Sequence, residues 1–527
     1  MNSILPDSSP VPERPPVGVR LVALLASVAC TLSLGRFADP AYAIDDAWIS
    51  FRTARTWLET GSLTFDGSMP PVEGVTNFLW TMLSASWVSA LPDVDPIGPA
   101  RILGALLLVW TVWRASRLAG SIAERAGGDP VLAAGVTGAL LAASGSLAFH
   151  ALSGLETALW GALFLAICVR LDRLLHEGGG ALGLGVLLAL LGATRPEGVL
   201  VAGLLVGALL LRRETRPAGT RALAPIVLGI GALEVFRLLH YGSLVPNTFA
   251  AKPPDPVAGL RYLAEGLLYG CGVLGLGFAA LVPRRSALSL LGLVLAVLVA
   301  GAVWSGGDWM PGARRLTLPL LWLSLAAGVA LGTVTRGRRR VAAAGVAAWL
   351  VGNLVGAGSG WDAMQQAPRK AEALARAAQQ TEAIKTVALA DVGVFGWDFD
   401  RGILDLVGLT DAHVAGLPGA HGAKEWDEDY FRRRSPELVL VRSESPVHDP
   451  LVTQPQVGTT ERPVLFSILD HGGYRYHATV DLERDLGRYL LIFSRTDVEL
   501  PEALWGPPAE KDLRELLMEL DARSRGP

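Results

Sequence analysis

The segment AIDDAWISFRTARTWLETG, residues 43–61, places two adjacent carboxylates, Asp45 and Asp46, directly after a strongly apolar run. Ile49 and Trp57 then recur at the spacing of an amphipathic helix that lies along a membrane surface. One acid at a helix start caps free N–H groups and complements the helix dipole, which is one interpretation of the pair. A second carboxylate needs a further reason, and two together can divide the work of a general base and an orienting or metal-binding group.

The composition of the whole chain indicates a protein that crosses a membrane many times. Of the 527 residues, 51% are hydrophobic and 18% are charged, and the mean hydropathy is +0.39. This is too apolar for an ordinary soluble protein. A net charge of -3 provides no basic footprint for nucleic acid. Cys30, Cys168 and Cys271 lie in apolar runs without the spacing of a disulfide framework or a zinc site.

Apolar segments fill the first two thirds of the chain. They lie near residues 20–38, 77–92, 100–119, 131–150, 154–171, 181–194, 197–211, 221–240, 260–282, 286–304, 315–333 and 341–356. Basic blocks at 211–216, 283–285 and 336–340 mark cytoplasmic helix ends. We expect the first segment to be an uncleaved span; the alternative is a signal peptide cleaved after the AYA of 41–43. A cytoplasmic N-terminus and an external tail require an odd number of crossings, about eleven.

From about residue 357 onward, charges become frequent and no run is long enough to span a bilayer. A helix is predicted near 363–385 and an amphipathic helix near 507–523. The first helix leads into TVALADVGVFG, and ILDLVGL, PELVLVRS and RYLLIFSR have the composition of short strands.

The sequence therefore predicts a mainly α, polytopic helical membrane protein with a C-terminal extracytoplasmic α/β domain. The membrane domain covers 1–356, and its first external loop, 39–76, carries the amphipathic helix. The soluble domain covers 357–527.

Polar side chains of the membrane part collect on the predicted external side. Ionisable groups at membrane depth are costly and tend to mark function, so this gathering predicts a cavity at the external interface. Both signs of charge are present, as phosphate binding and proton removal require. The candidates are Asp45, Asp46, Arg52, Glu73, Asn77, Glu156, Arg195, Glu197, Asn247, Lys252, Asp308, Arg314 and Arg315.

The basic candidates suit a phosphate ligand. Arg195 lies in TRPEG, where Pro196 breaks the helix and predicts an external turn. An arginine fork matches the geometry of a phosphate, and Lys252 and Arg315 would add positive charge. The alternative is that each one only anchors a helix at the membrane interface. Gly270, which begins a G-x-G-x-x-G match, lies inside an apolar run without a preceding strand, and this indicates helix packing.

Residues 45–80, DDAWISFRTARTWLETGSLTFDGSMPPVEGVTNFLW, resemble the first external loop of polytopic glycosyltransferases that use polyprenyl-phosphate sugars. The nearest likeness is to the mycobacterial terminal β-(1→2)-arabinofuranosyltransferase family and its bacterial relatives. Further blocks of this family occur in the same order, namely SGLET (153–157), TRPEG (194–198), YGSLVPNTFAAK (241–252), GGDWMPGARRLTLP (306–319) and DVGVFGWDFDRGILDLVGLTD (391–411).

The resemblance implies a GT-C fold and an inverting transfer in which Asp45 is the base. Asp46 would orient the acceptor or bind a divalent cation such as Mg²⁺, Mn²⁺ or Ca²⁺; no cofactor is otherwise implied. The residues implied for the donor phosphate are Arg195, Lys252, Arg314 and Arg315. Those implied for sugar and acceptor hydroxyls are Arg52, Glu73, Asn77, Glu156, Glu197, Asn247 and Asp308.

The predicted protein is thus a multi-pass enzyme of the bacterial plasma (inner) membrane. It would move a sugar, with arabinofuranose as one candidate, from a polyprenyl-phosphate donor to an extracytoplasmic glycan, lipid or protein. Two alternatives stay open: a non-enzymatic envelope or flagellar assembly factor on the same fold, and a small-molecule transporter. A transporter would usually show an inverted repeat or charges at the bilayer midplane, whereas these charges lie at external helix ends.

Overall fold

The computed structural model describes residues 15–35, 44–268, 273–279, 281, 287–310, 312–356, 368–443, 462–471, 473–481 and 489–501. Several features of the sequence lie outside the described residues. These are the AYA of 41–43, Gly270, Cys271, the basic block 283–285 and the predicted helix 507–523.

Helices build the part of the chain before residue 357. In chain order they are α1 (Val17–Gly35), α2 (Asp45–Thr60), α3 (Phe78–Ala90), α4 (Ile97–Arg125), α5 (Pro130–Ala142), α6 (Gly145–Leu152), α7 (Thr157–Glu177), α8 (Ala181–Thr194), α9 (Glu197–Leu211), α10 (Arg216–Tyr241), α11 (Thr248–Ala251), α12 (Pro256–Leu268), α13 (Val273–Ala279), α14 (Ala287–Trp304), α15 (Thr317–Thr333) and α16 (Arg336–Gly356), with a 3₁₀ turn, Arg314–Leu316, before α15.

Among the described residues, five segments are long and apolar enough to cross a membrane, namely α1, α4, α10, α14 and the 3₁₀ turn continued by α15. α5 and α6 are bent by 56° relative to each other, and they form a sixth candidate span if the two helices are counted as one. α8 and α9 are apolar as well, but they are shorter. A mainly helical architecture with apolar spans is thereby confirmed. The number of about eleven crossings stays a prediction.

Small residues allow the central helices to pack closely. α15 is largely buried and packs against α4, α5 and α7. A side chain at Gly328 of α15 would collide with Thr137 of α5, and one at Gly138 of α5 would collide with Ala26 and Ser116. Close contact of this kind is how helices associate in a lipid environment. The 3₁₀ turn Arg314–Leu316 thus stands at the end of a rigid helix.

The remainder of the described chain combines helices with a sheet. Its elements are α17 (Pro368–Gln380), β1 (Thr386–Leu389), α18 (Val392–Asp398), β2 (Gly402–Asp405), α19 (Ala412–Gly416), β3 (Gly419–Ala420), β4 (Ala423–Lys424), α20 (Glu428–Arg434), β5 (Leu438–Ser443), α21 (Arg462–His471), β6 (Tyr474–Asp481) and β7 (Tyr489–Arg495). The five-stranded sheet has the order β2-β1-β5-β7-β6, in which β1 is parallel to β2 and β5, while β7 is antiparallel to β5 and β6.

Two charged residues of α2 bind the two ends of α18. The carboxylate of Asp45 accepts hydrogen bonds from the backbone N–H groups of Gly393 and Val394, both at 2.8 Å. Two turns further along α2, the guanidinium of Arg52 donates to the carbonyl oxygens of Gly396 and Phe399. An anion at the N-terminus and a cation at the C-terminus both complement the dipole of α18. α2 and α18 therefore lie side by side and run in the same direction.

Apolar side chains reinforce this contact. Ile49 of α2 and Phe65 of the first loop share one buried cluster with Val392 and Phe395 of α18 and with Leu389 of β1. Burial of such side chains stabilises the folded chain by roughly 1.5–3 kcal/mol each. The sheet-containing C-terminal part of the chain is consequently joined to α2 and to the segment that follows it by a common core.

We expect Gly393→Ala to weaken the contact between α2 and α18. A Cβ at this position would lie 1.9 Å from the backbone oxygen of Asp45, so one of the two helices would have to shift. The predicted loss of stability is about 1–3 kcal/mol, measured by thermal unfolding of the purified full chain. Gly416→Ala is the matched control, since nothing lies within 4 Å of its Cβ. Equal stability of the two variants would contradict the close contact between Gly393 of α18 and the backbone of Asp45 in α2.

Candidate active site

A cavity of about 360 Å³ lies where α2, α7, α9, α11 and α14 meet the loop before α15. Its volume is in the range of ligand-binding pockets. Most of the charged and amide residues singled out in the sequence converge on it. Those that line it are Asp46, Asn77, Glu156, Arg195, Glu197, Lys252, Asp308, Arg314 and Arg315.

Asp46 is the acidic residue of the first pair that faces the cavity. Among the described residues, its carboxylate has neither a hydrogen-bond partner nor an ion-pair partner. Burial raises the pKa of Asp46 above its ordinary value, while the charges of Lys252 and Arg314 act in the opposite direction. A carboxylate that is poorly hydrated and unpaired is suited to accept a proton from a ligand.

Lys252, which directly follows the short helix α11, is the cationic counterpart. Within the described part of the chain, its ammonium group also has no hydrogen-bond or ion-pair partner. Its charge acts on both Asp46 and Asp308. The cavity therefore contains a cation that is free to bind an anionic ligand.

The other charged residues are held in a continuous network. Asn77 donates to Glu156 at 2.9 Å, and Arg195 pairs with Glu156 at 2.5 Å and with Glu197 at 3.2 Å. Glu197 also accepts from Arg315 at 3.3 Å. Burial acts to raise the pKa of Glu156, but the charge of Arg195 outweighs it and holds this pKa below its ordinary value. The network fixes two guanidinium groups on the cavity wall before any ligand binds.

Asp308 and Arg314 form a second fixed pair in the loop before α15. The Nε of Arg314 is 2.7 Å from Oδ2 of Asp308, and both side chains are buried. Burial acts to raise the pKa of Asp308, but the nearby charges of Arg314 and Lys252 outweigh it and hold this pKa at about 2. Asp308 is therefore an anion that positions Arg314 and is poorly suited to accept a proton.

One wall of the cavity is apolar and faces outward between α9 and α14. Leu200 of α9 is 44% exposed, and Trp304 at the end of α14 is 64% exposed. Leu298 of α14 lies in the same wall. Exposed apolar side chains on membrane helices are the surface that lipid chains cover. The charged cavity thus opens beside a surface fit for the chain of a lipid.

Leu409, which follows β2, also lines the cavity, so the C-terminal part of the chain supplies part of its wall. Asn247 holds this loop, because its side chain donates to the carbonyl oxygens of Gly408 and Leu409 at 2.8 and 3.0 Å. Asn247 itself does not line the cavity. The structure therefore places Asn247 at a domain contact, whereas the sequence indicated a sugar ligand.

Three other predicted site residues also lie away from the cavity lining. Asp45 and Arg52 bind the ends of α18. Glu73 is buried in an ion pair with Arg237 of α10, with hydrogen bonds of 3.0 Å. Arg237 was not predicted from the sequence, although an arginine within an apolar span is itself a signal of a buried partner. Each of these side chains already has protein partners.

The described residues do not fit a divalent cation at Asp46. They contain no group of three histidine, cysteine or acidic side chains placed to hold a metal ion. The charges that act most strongly on Asp46 are those of Lys252 and Arg314, and two positive charges oppose the binding of a further cation there. The surroundings of Asp46 therefore suit a base or an orienting group better than a metal ligand.

Comparison with known proteins shows the fold. Residues 361–499 match a family model described as a domain of unknown function, DUF8728. No curated protein matches the chain. Among solved structures, ArnT from Cupriavidus metallidurans bound to undecaprenyl phosphate is 12% identical with a TM-score of 0.57, and the match covers 92% of this chain and 98% of that one.

Two further structures have the same fold. The oligosaccharyltransferase AglB from Archaeoglobus fulgidus, in complex with an inhibitory peptide and a dolichol-phosphate, is 12% identical, with a TM-score of 0.54 and 96% and 77% coverage of the two chains. The arabinofuranosyltransferase AftD from Mycobacteria is 17% identical, with a TM-score of 0.50 and 90% and 41% coverage. The chain therefore has the GT-C fold of membrane glycosyltransferases.

We expect Asp45 to make the stability of the protein depend on pH. Burial and the charge of Asp391 raise the pKa of Asp45 to about 7, although its two backbone hydrogen bonds oppose the shift. Because the folded state holds this proton more tightly than the unfolded chain, the stabilisation is complete below the ordinary pKa of 3.8 and is lost as the pH rises through about 7.

The stability of the wild type relative to Asp45→Asn should accordingly fall as the pH rises from 3.8 to about 7, measured as the difference in melting temperature. Asp391→Asn is the informative companion, because removal of that negative charge should move the transition to lower pH. A difference between wild type and Asp45→Asn that is independent of pH would contradict this expectation.

Proposed function

We propose that the protein is a membrane glycosyltransferase that moves a sugar from a polyprenyl-phosphate donor to an acceptor hydroxyl. The observation that carries this proposal is the cavity of a GT-C fold in which Asp46 and Lys252 are both left without partners in the described chain. One is suited to take a proton and the other to bind a phosphate, and an apolar wall for a lipid lies beside them.

The charge of the cavity supports a lipid phosphodiester as donor. Arg195, Arg314 and Arg315 are each paired with an acid, so most of their charge is balanced within the protein. Lys252 adds one positive charge without a partner in the described chain. A sugar linked to a lipid through one phosphate brings one negative charge, for which this ammonium group is the available partner, while the charge of Asp46, the unpaired acid, is neutralised when it takes up the acceptor proton. ArnT bound to undecaprenyl phosphate and AglB with a dolichol-phosphate are related folds in complex with ligands of this kind.

The reaction that fits these groups is a single displacement. The carboxylate of Asp46 takes the proton of the acceptor hydroxyl, and the oxygen of that hydroxyl attacks the anomeric carbon of the sugar. The bond between this carbon and the phosphate oxygen breaks, and the electron pair leaves with the lipid phosphate. The raised pKa of Asp46 favours its action as a base that takes up a proton in each turnover. The ammonium of Lys252 stabilises the charge on the departing phosphate.

The network residues would complete the site. Asn77, Glu156 and Glu197 present amide and carboxylate oxygens to the cavity and can accept hydrogen bonds from sugar hydroxyls. Asp45 and Arg52 are positioning residues in this proposal, because they fix α2 against α18 and so direct Asp46 into the cavity.

We infer that the enzyme works in a bacterial inner membrane with its cavity and soluble part on the extracytoplasmic side. The basic blocks at 211–216 and 336–340 support this orientation. The likeness of residues 45–80 to the loop of arabinofuranosyltransferases makes arabinofuranose the first sugar to test. A glycan, a lipid or a protein would serve as acceptor.

Asp46→Asn should lower the rate of sugar transfer about 100-fold or more, because the amide cannot act as a base. The measurement uses purified protein in vesicles, a set of polyprenyl-phosphate sugars, and quantification of the lipid phosphate released. Asp93→Asn, at an exposed loop position, controls for the loss of one charge. Full activity of Asp46→Asn together with an inactive Asp45→Asn would transfer the role of base to Asp45.

Lys252→Met should raise the KM for the lipid donor about tenfold while the KM for the acceptor stays unchanged, since one charge-assisted contact to the phosphate is lost. Lys385→Met, at an exposed position of the soluble part, is the matched control. An unchanged donor KM in Lys252→Met would remove Lys252 from the phosphate site. A wild-type protein that consumes none of the donors would favour an assembly factor on the same fold.

A further inference from the structure

A second group of basic residues lies at the far end of the helix bundle from the cavity. It consists of Arg20 of α1, Arg114 and Arg117 of α4, and Arg173 of α7. α4 packs against both α1 and α7, and Arg114 and Arg117 lie three residues apart on α4 beside the ring of Trp113. We call this group the arginine cluster.

The position of the arginine cluster along the helices places it near the opposite membrane surface. Ile97, at the start of α4, touches the turn at Gly154 beside α2, so this end of α4 lies on the cavity side. At 1.5 Å per residue, Arg117 lies about 30 Å further along the helix axis, and Arg173 lies about 24 Å beyond the start of α7. The hydrocarbon core of a bilayer is about 30 Å thick. The arginine cluster is thus at the level of the lipid headgroups in the leaflet that does not contain the cavity.

The charges of the arginine cluster are not balanced within the described chain. Arg114 experiences the positive charges of Arg117 and Arg173, and Arg117 experiences those of Arg20 and Arg173. No ion pair joins these arginines to an acid among the described residues. Arg125, two turns further along α4, differs in that it donates to both carboxylate oxygens of Asp172 at 2.7 Å.

Arg117 is also partly enclosed. Its guanidinium lies 4.7 Å from the centre of the Trp113 ring, and that of Arg114 lies 5.6 Å from the same ring. The Nε of Arg117 is buried and has no hydrogen-bond partner in the described structure. A buried donor of this kind is costly, and the cost is relieved if an acceptor from outside the protein binds there.

We propose that the arginine cluster is a binding site for the phosphate of an anionic phospholipid in the leaflet opposite the cavity. Guanidinium groups bind phosphate oxygens through paired N–H donors, and basic pockets between transmembrane helices bind anionic headgroups. Trp113 holds the arginines in place, as an aromatic ring does at a membrane interface. This inference is independent of the proposed glycosyl transfer.

The experiment measures lipid binding directly. Full-length protein in a neutral detergent is titrated with phosphatidylglycerol, phosphatidylcholine or polyprenyl phosphate, while melting temperature and native mass spectra are recorded. We expect phosphatidylglycerol to raise the melting temperature and to remain bound in the mass spectrum, and phosphatidylcholine to do neither. In Arg114→Gln/Arg117→Gln, the apparent affinity for phosphatidylglycerol should fall about tenfold or more.

Arg212→Gln/Arg213→Gln is the matched control, because it removes the same charge from exposed positions between α9 and α10. It should bind phosphatidylglycerol as the wild type does. If both double variants lost the same affinity for phosphatidylglycerol, binding would depend on general electrostatic attraction and not on the arginine cluster, and the proposal would be overturned. Binding of polyprenyl phosphate without phosphatidylglycerol would overturn it as well, since the site would then belong to the lipid carrier.

Discussion

The arrangement of the site depends on the match between two charges of α2 and the two ends of α18. Asp45 binds the N-terminal amides and Arg52 the C-terminal carbonyl groups, so both contacts follow the dipole of one short helix. Successive residues of an α-helix point about 100° apart. Once Asp45 is directed at α18, Asp46 must point elsewhere, and it points into the cavity. The first acid of the pair thus attaches α2 to α18, and the second is the one that the proposed reaction would use.

Inside the cavity, internal pairing determines what remains available to a ligand. Glu156, Glu197 and Asp308 neutralise three arginines and hold them in place. Asp46 and Lys252, which line the cavity, are the charged groups there that have no partner within the described chain, so they are the groups available to a ligand. In the proposed function, this pairing would fix the contacts to phosphate and sugar before binding, which would lower the cost of organising them later.

The general location of the site could be predicted from the sequence because charges stand out in an apolar chain. Arg195, Lys252 and Asp308 are far apart in sequence, yet each follows or precedes a span on one side. Asn247 and Glu73 have the same sequence signal but bind Leu409 and Arg237 instead. A sequence does not distinguish a buried charge that awaits a ligand from one that already has a partner, because that depends on contacts between distant segments.

The fold could be predicted to a similar degree. Apolar runs and the change of composition near residue 357 indicated a helical membrane part followed by strands. In the structure, helices α1 to α16 lie before residue 357 and the strands lie after it. The bend between α5 and α6 and the short helices α8 and α9 are not evident from hydropathy, because it reports how apolar a segment is and not its direction. The roles of Asp45 and Arg52 were hidden because their partners lie more than 300 residues away.

The core shared by Ile49, Phe65 and Phe395 has a consequence for how such proteins diversify. If the soluble part were exchanged for that of a relative, α2 would lose both its apolar neighbours and the acceptors and donors that orient it. A functional hybrid would have to carry residues 45–65 along with the new tail, although more than 300 residues separate them in the gene. Inheritance of the two segments is expected to be linked, and substitutions at Asp45 and Arg52 should be accompanied by changes around Gly393 and Phe399.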